Sequence, residues 1–262
     1  MPNSTKYCRY GLYPDIIDPH IAKGVVNEIV KTAHKYIHKD TKQLTVLDAG
    51  SGKGEYSLEL AKHFKKVVGV DPYYHAYKTS LKLLKTSKLK NIKFVNSTME
   101  DYSTNEKFNV IVALTVIEHM ENAQESFKQI FKLLKKDGIV YITAPNKYWI
   151  FEQHYGLPFL AWLPLPIANL YLQAIKGVKS YKDCSYSMGY YETKKFLDKL
   201  DAKYDFILPF DEKSPYLNCG KKQTIYNIVK NIGIKLIKSN NFFWNFSKGF
   251  IIVAKHANNP KN

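Results

Sequence analysis

Leu44-Thr45-Val46-Leu47-Asp48-Ala49-Gly50-Ser51-Gly52-Lys53-Gly54 is the stretch that decides the fold. A short β-branched, apolar run stops on an acid and passes directly into a glycine-rich bend, the pattern of a buried strand ended by a tight turn. Beyond the bend, Tyr56, Leu60, Ala61 and Phe64 recur at helical spacing, so a helix is predicted to open on the glycines. Strand, glycine turn and helix N-terminus in that order are the first unit of a sheet with parallel strands.

The same rhythm extends downstream. Val67-Val68-Gly69-Val70 predicts a second strand ending at Asp71, followed by a helix carrying Tyr77, Leu81 and Leu84. Ile92 to Val95, Val110 to Ala113 and Ile139 to Ile142 predict three further strands; Phe127, Ile130, Phe131 and Leu134 mark the helix before the last, with Asp137-Gly138 expected as the turn that ends it. Upstream, the apolar spacing over residues 21–37 predicts an amphipathic N-terminal helix. A helix at 192–200, a strand at 204–208 and a closing strand at 249–254 complete the pattern. The fold class is therefore α/β: one doubly wound domain spanning 1–262 on a mostly parallel, seven-stranded sheet. Its core lies at about 44–146, 191–210 and 248–256, and the looser stretches at about 147–190 and 211–247 are expected to be cap insertions.

Composition narrows the function. The net charge of +16 invites a nucleic-acid partner, but Arg9 is the only arginine among 39 basic residues, whereas base readout and bidentate phosphate clamps lean on arginine. Solvated lysine faces are the expected outcome. Cys8, Cys184 and Cys219 have no close pair, so sequence spacing signals neither a disulfide framework nor a metal site, and a reducing, cytoplasmic setting is expected. The first residues lack the basic-then-apolar order of a signal peptide.

In an open parallel sheet, ligands settle outside the carboxyl ends of the strands, where strand order reverses. Those ends carry Asp48, Asp71, the stretch from Ser97 to Asp101, and Leu114-Thr115-Val116. Glycines 50, 52 and 54 let backbone N–H groups approach a carboxylate closely at a helix N-terminus. Asp71, roughly 20 residues further on, stands where an acid accepts hydrogen bonds from ribose hydroxyls. The glycine spacing is not that of a dinucleotide fold, and no Gly-Lys-Ser/Thr ends it as in a P-loop.

Residues 46–54 with Val70-Asp71 resemble the first two motifs of class I S-adenosylmethionine-dependent methyltransferases. Val116-Ile117-Glu118-His119-Met120 resembles the Glu-His element of the ubiquinone-biosynthesis-like branch, and Thr143-Ala144-Pro145-Asn146 the end of its fifth strand. The resemblance covers about residues 44 to 146. It implies that S-adenosyl-L-methionine is the cofactor, with Asp48, Gly50, Ser51 and Gly52 along its methionine portion. Asp71 and Pro72 would then stand at the ribose, Thr98 and Met99 beside adenine, and Leu114 near the sulfonium. Thr98 stands where many relatives have Asp, so the bond to the adenine amino group is expected from a hydroxyl or from backbone.

In-line methyl transfer to oxygen gains from a general base, and three residues are candidates: His119, Glu118 beside it, and His154 in the segment after the fifth strand. Glu152-x-His154 with Trp162-Leu163-Pro164 resembles methyltransferases encoded with surface-polysaccharide enzymes. Residues 155–175 carry no formal charge, but Pro158, Pro164 and Pro166 argue against a regular membrane-spanning helix. An apolar lid or an interfacial contact at the membrane inner face fits better. The expected acceptor is a small molecule, a glycan or a lipid-linked glycan, with a quinone or lipid precursor, or RNA, as alternatives. An amino-directed base enzyme would show Asn/Asp-Pro-Pro-Tyr where this chain has Leu114-Thr115-Val116-Ile117.

Overall fold

The computed structural model describes residues 17–211, 214–217 and 223–257. Cys8, Cys219 and the first residues of the chain lie outside the described residues. Seven strands form one sheet in the order β3-β2-β1-β4-β5-β7-β6. Strand β1 (Thr45–Ala49) sits centrally between β2 (Lys66–Asp71) and β4 (Phe108–Leu114), and both pairings are parallel. Strands β3 (Ile92–Asn96) and β5 (Leu134–Pro145) extend the parallel part on either side. Strand β7 (Gly249–His256) runs antiparallel between β5 and β6 (Ala202–Ile207).

The central strands are apolar on both faces because both are covered. Leu47, Val68, Ile111 and Val140 point into one core with helix α4 (Ala123–Leu133) and helix α6 (Tyr190–Asp198). Val46, Val67, Val110 and Ile139 point into the other, with helix α1 (Pro19–Ile37), helix α2 (Glu55–Ala61) and helix α3 (Tyr74–Thr86). Burying each such side chain contributes about 1.5–3 kcal/mol. Helix α1 starts at Asp18, whose carboxylate accepts the His20 N–H at 2.8 Å, and Pro19 fits the first helical position, where no N–H is needed. Glu28, polar in the sequence pattern, is buried: it accepts the backbone N–H groups of Phe210 (2.7 Å) and Asp211 (3.1 Å) and so ties α1 to the chain beyond β6.

Three features depart from the sequence pattern. Asp137-Gly138 does not end a helix; α4 stops at Leu133 and β5 begins at Leu134, with the register against β4 shifting between Phe108 and Val110 to absorb the extra residues. The two stretches read as irregular each hold a helix, α5 (Leu165–Lys176) and α7 (Gln223–Ser239). Pro164 and Pro166 hid the first of these. They stand before and within its opening turn, where proline costs no hydrogen bond.

The cap segment around α5 has its own small core of Tyr155, Leu157, Leu160, Ala168, Leu172, Tyr181 and Cys184. Its other side leaves Phe159, Trp162, Ile167, Leu170 and Ile175 exposed. Among the described residues no helix is long and apolar enough to cross a membrane.

Candidate functional site

The crossovers reverse direction at β1, which is flanked by β2 on one side and β4 on the other. At the carboxyl ends of these strands lies a cavity of about 820 Å³, within the range of small-molecule sites. Its floor is the bend between β1 and α2. The N–H groups of Gly50 and Ser51 both donate to Val70 O, at 2.8 and 3.0 Å, and Gly52 N–H donates to Asp71 Oδ2 at 2.8 Å. Such a bend requires left-handed backbone at Gly50 (φ 84°), and a Cβ there would stand 2.7 Å from both Val116 methyls. Gly52 (φ 54°) instead faces open space, so its backbone can be approached by a ligand.

Asp71 also accepts Tyr73 N–H at 2.8 Å. A carboxylate has about four acceptor positions, so Asp71 is able to brace backbone and to accept from a ligand hydroxyl with the same group. It thus braces the glycine bend in addition to standing where a ribose is expected. Asp48 is buried at the end of β1 and accepts Ser57 Oγ–H at 2.5 Å. Burial pushes its carboxyl up to about 7, opposed by the Ser57 bond and reinforced by the charges of Asp71 and Glu55. A cationic group beside it, such as the ammonium of a methionine moiety, would relieve that cost.

Pro72, Thr98, Met99, Leu114 and Ser51 all line the cavity. The Thr98 hydroxyl donates to Asp101 Oδ2 at 2.9 Å and accepts Asp101 N–H at 3.1 Å, which leaves backbone as the better source of a bond to adenine. Sequence inspection missed several wall residues: Tyr56, Lys182, Asp183 and Tyr186. The last three come from the cap, where no motif marks them. Thr115, also on the wall, holds a left-handed backbone (φ 54°), costly for a β-branched residue and stabilised by N–H bonds to Thr143 O and Oγ1, both 3.0 Å.

The three candidate bases are placed together, but differently from one another. His119 lines the cavity, whereas Glu118 and His154 lie behind it and do not. The rings of His119 and His154 meet edge to face at 4.9 Å. His119 Nδ1 lies 2.6 Å from Asp183 O, and His154 Nδ1 lies 2.5 Å from Glu152 Oε1. Both Nε2 atoms turn toward Glu118 Oε1, at 3.8 and 3.7 Å, and away from solvent. The cluster faces inward.

The donor set of the cavity fits the cofactor that the motifs imply: open glycine backbone at Gly52, the Asp71 carboxylate and the buried acid Asp48. A family model described as a methyltransferase domain matches residues 21–179. The ubiquinone biosynthesis O-methyltransferase of Rickettsia canadensis is 28% identical over 63% of this chain and 69% of its own length. That of Rickettsia conorii is 27% identical over 71% and 65%. Against the corresponding protein of Rickettsia bellii the match falls to 45% of its length, so the chain spans between about half and two thirds of the curated relatives it matches. Among solved structures, the plantazolicin methyltransferase BpumL in complex with SAH gives a TM-score of 0.58 at 15% identity, over 91% of this chain and 85% of that one. YcgJ from Bacillus subtilis gives 0.55 at 14%, over 90% and 99%. These likenesses establish the fold.

Asp48 makes a pH prediction. Its carboxyl sits near 7 when folded and near 3.8 when unfolded, so its ionisation costs the folded state progressively as pH rises from about 4 to 7. Without ligand, the wild type should lose stability across that window relative to Asp48→Asn, and affinity for the expected cofactor should rise from pH 6 to 8 in the wild type alone. Parallel profiles for the two proteins, by thermal melts and calorimetry, would contradict the assignment.

Proposed function

Because the chain belongs to the methyltransferase-domain family, and is thus an S-adenosylmethionine-dependent enzyme of class I, we propose that it O-methylates an amphipathic, hydroxyl-bearing acceptor of the quinone-precursor or lipid-linked glycan kind. The single observation that carries this reading is the apolar character of the cap beside the cavity: Phe159, Trp162, Ile167 and Leu170 stay exposed on a segment with a core of its own. A surface of that kind suits a lipid-like acceptor presented from a membrane interface. The curated relatives, which are ubiquinone biosynthesis O-methyltransferases, point the same way.

Bound cofactor supplies an electrophilic methyl on a sulfonium. The chain's part is to hold that methyl in line with the acceptor oxygen, which can contribute up to about 7–11 kcal/mol. Asp48 and the glycine bend fix the methionine end, Asp71 the ribose, and Leu114 with Val116 shape the wall where transfer occurs. His119 is assigned to building that wall rather than to abstracting a proton. Its Nδ1 donates to Asp183 O, which can only accept, so Nε2 is the basic nitrogen, and that atom is buried and turned toward Glu118.

Incubation of the protein and methyl-labelled cofactor with separated lipid, glycan and RNA pools should place the label in the lipid-extractable fraction as an alkali-stable ether. Label confined to RNA would overturn the proposal. With an acceptor in hand, His119→Gln should lower kcat by less than about tenfold and raise the acceptor KM. A loss of about 10²–10⁴ in kcat at unchanged KM would instead make His119 the general base.

A further inference from the structure

We propose that His119, His154, Cys184 and Glu118 form a binding site for one zinc-like divalent ion, which staples the cap to the end of β4. One potential ligand atom each from His119, His154 and Cys184 lies within 4.8 Å of the others. Glu118 Oε1 lies 3.8 Å from His119 Nε2 and 3.7 Å from His154 Nε2. A tetrahedral zinc with bonds of about 2.0–2.3 Å separates its ligands by roughly 3.3–3.7 Å. The donors of His119, His154 and Cys184 need to draw together by about an ångström to reach that spacing, and Glu118 Oε1 already stands close to it from both Nε2 atoms.

The hydrogen bonds around the cluster prepare both rings for a metal. Asp183 O can only accept, so His119 Nδ1 carries the proton and Nε2 the lone pair. Glu152 Oε2 accepts the backbone N–H groups of His154 (2.8 Å) and Tyr155 (2.7 Å), and its Oε1 lies 2.5 Å from His154 Nδ1, so that ring nitrogen is the one held by the carboxylate and Nε2 is the one left for a metal. A carboxylate or carbonyl on the remote ring nitrogen is the arrangement that orients and strengthens metal-binding histidines. Two imidazole lone pairs, a thiol and a carboxylate make a nitrogen, sulfur and oxygen set of borderline softness, which suits zinc over magnesium or calcium.

Burial points to a closed, structural ion. The side chains of Glu118 and His154 are 0% and 4% exposed, and Cys184 is 7% exposed. Of the four residues only His119 reaches the cavity wall. The ligands join separate chain segments: the turn after β4 supplies Glu118 and His119, and the two flanks of α5 supply His154 and Cys184. Lys182, Asp183 and Tyr186, the cap's part of the cavity wall, lie within two residues of Cys184. Fixing Cys184 therefore fixes that wall. The staple is independent of which acceptor is methylated.

Metal analysis of protein purified without chelator and then supplied with zinc should find one equivalent per chain. Zinc should raise the thermal midpoint by ~5 °C or more, and a strong chelator should reverse the rise. Cobalt(II) in place of zinc should give the intense visible bands of a tetrahedral site with a thiolate-to-metal absorption in the near ultraviolet. Cys184→Ser should abolish the thiolate band, His154→Gln should lose stoichiometric binding, and His63→Gln on the surface should change neither. If His154→Gln does not fold, the near-isosteric Cys184→Ser decides. No stoichiometric metal, a thermal midpoint indifferent to zinc and chelator, or a thiolate band that survives Cys184→Ser would each overturn the site and leave a proton-sharing ion-pair cluster in its place.

Discussion

The bend from β1 into α2 is held to the tip of β2 by three backbone N–H groups, two on Val70 O and one on Asp71 Oδ2, and every feature of the site depends on that tether. It forces left-handed backbone at Gly50 against Val116, leaves the Gly52 face open, and brings the carboxylates of Asp48 and Asp71 to one cavity. Asp71 braces the loop and lines the cavity, so one side chain couples the shape of the floor to its proposed chemistry. The cost of burying Asp48 is stored in the same place. A cationic ligand group beside it would offset that cost.

Above this floor the cap contributes a second, separately packed layer. Leu160, Ala168 and Leu172 bury one side of α5 and its approach, while Trp162, Ile167 and Leu170 leave the other side apolar and exposed. The cap reaches the sheet through polar contacts as well. Tyr186 N–H donates to Glu118 O, Asp183 O accepts the His119 ring, and the histidine, thiol and carboxylate cluster lies at that seam. Cofactor recognition is proposed to belong to the strand ends of the sheet. Acceptor recognition is proposed to belong to the cap and to whatever fixes it in place.

The sheet was legible because its signals are local. Leu44 to Gly54 carries strand, turn and helix start within a few residues, and Asp71 follows at the distance a βαβ unit sets. The seven strands were all readable as apolar runs, although the α4–β5 junction was misplaced because Asp137-Gly138 has turn chemistry and sits in a bulged strand instead. Helix α5 was hidden by prolines that mean a break in mid-helix and a start at the first turn, and nothing but the tertiary context tells the two apart. The association of His119, His154 and Cys184 could not be read from spacing at all. Each belongs to a different segment, and only folding of the cap against β4 brings them together. Lys182, Asp183 and Tyr186 reached the cavity wall by the same route.

The central claim is that the pinned glycine bend grips an adenosyl sulfonium. Calorimetric titration of S-adenosylhomocysteine, the demethylated cofactor, into the wild type and into Gly52→Ala tests it most directly, because a Cβ at Gly52 meets no protein atom within 4 Å and would project into the space a ligand needs, while alanine adopts the left-handed backbone there at less cost than a β-branched residue. The account predicts one site per chain in the wild type, a loss of affinity of at least tenfold in the variant with its fold intact by circular dichroism, and no comparable binding of a nicotinamide dinucleotide. Equal affinity in the two proteins, or no binding to either, would contradict it.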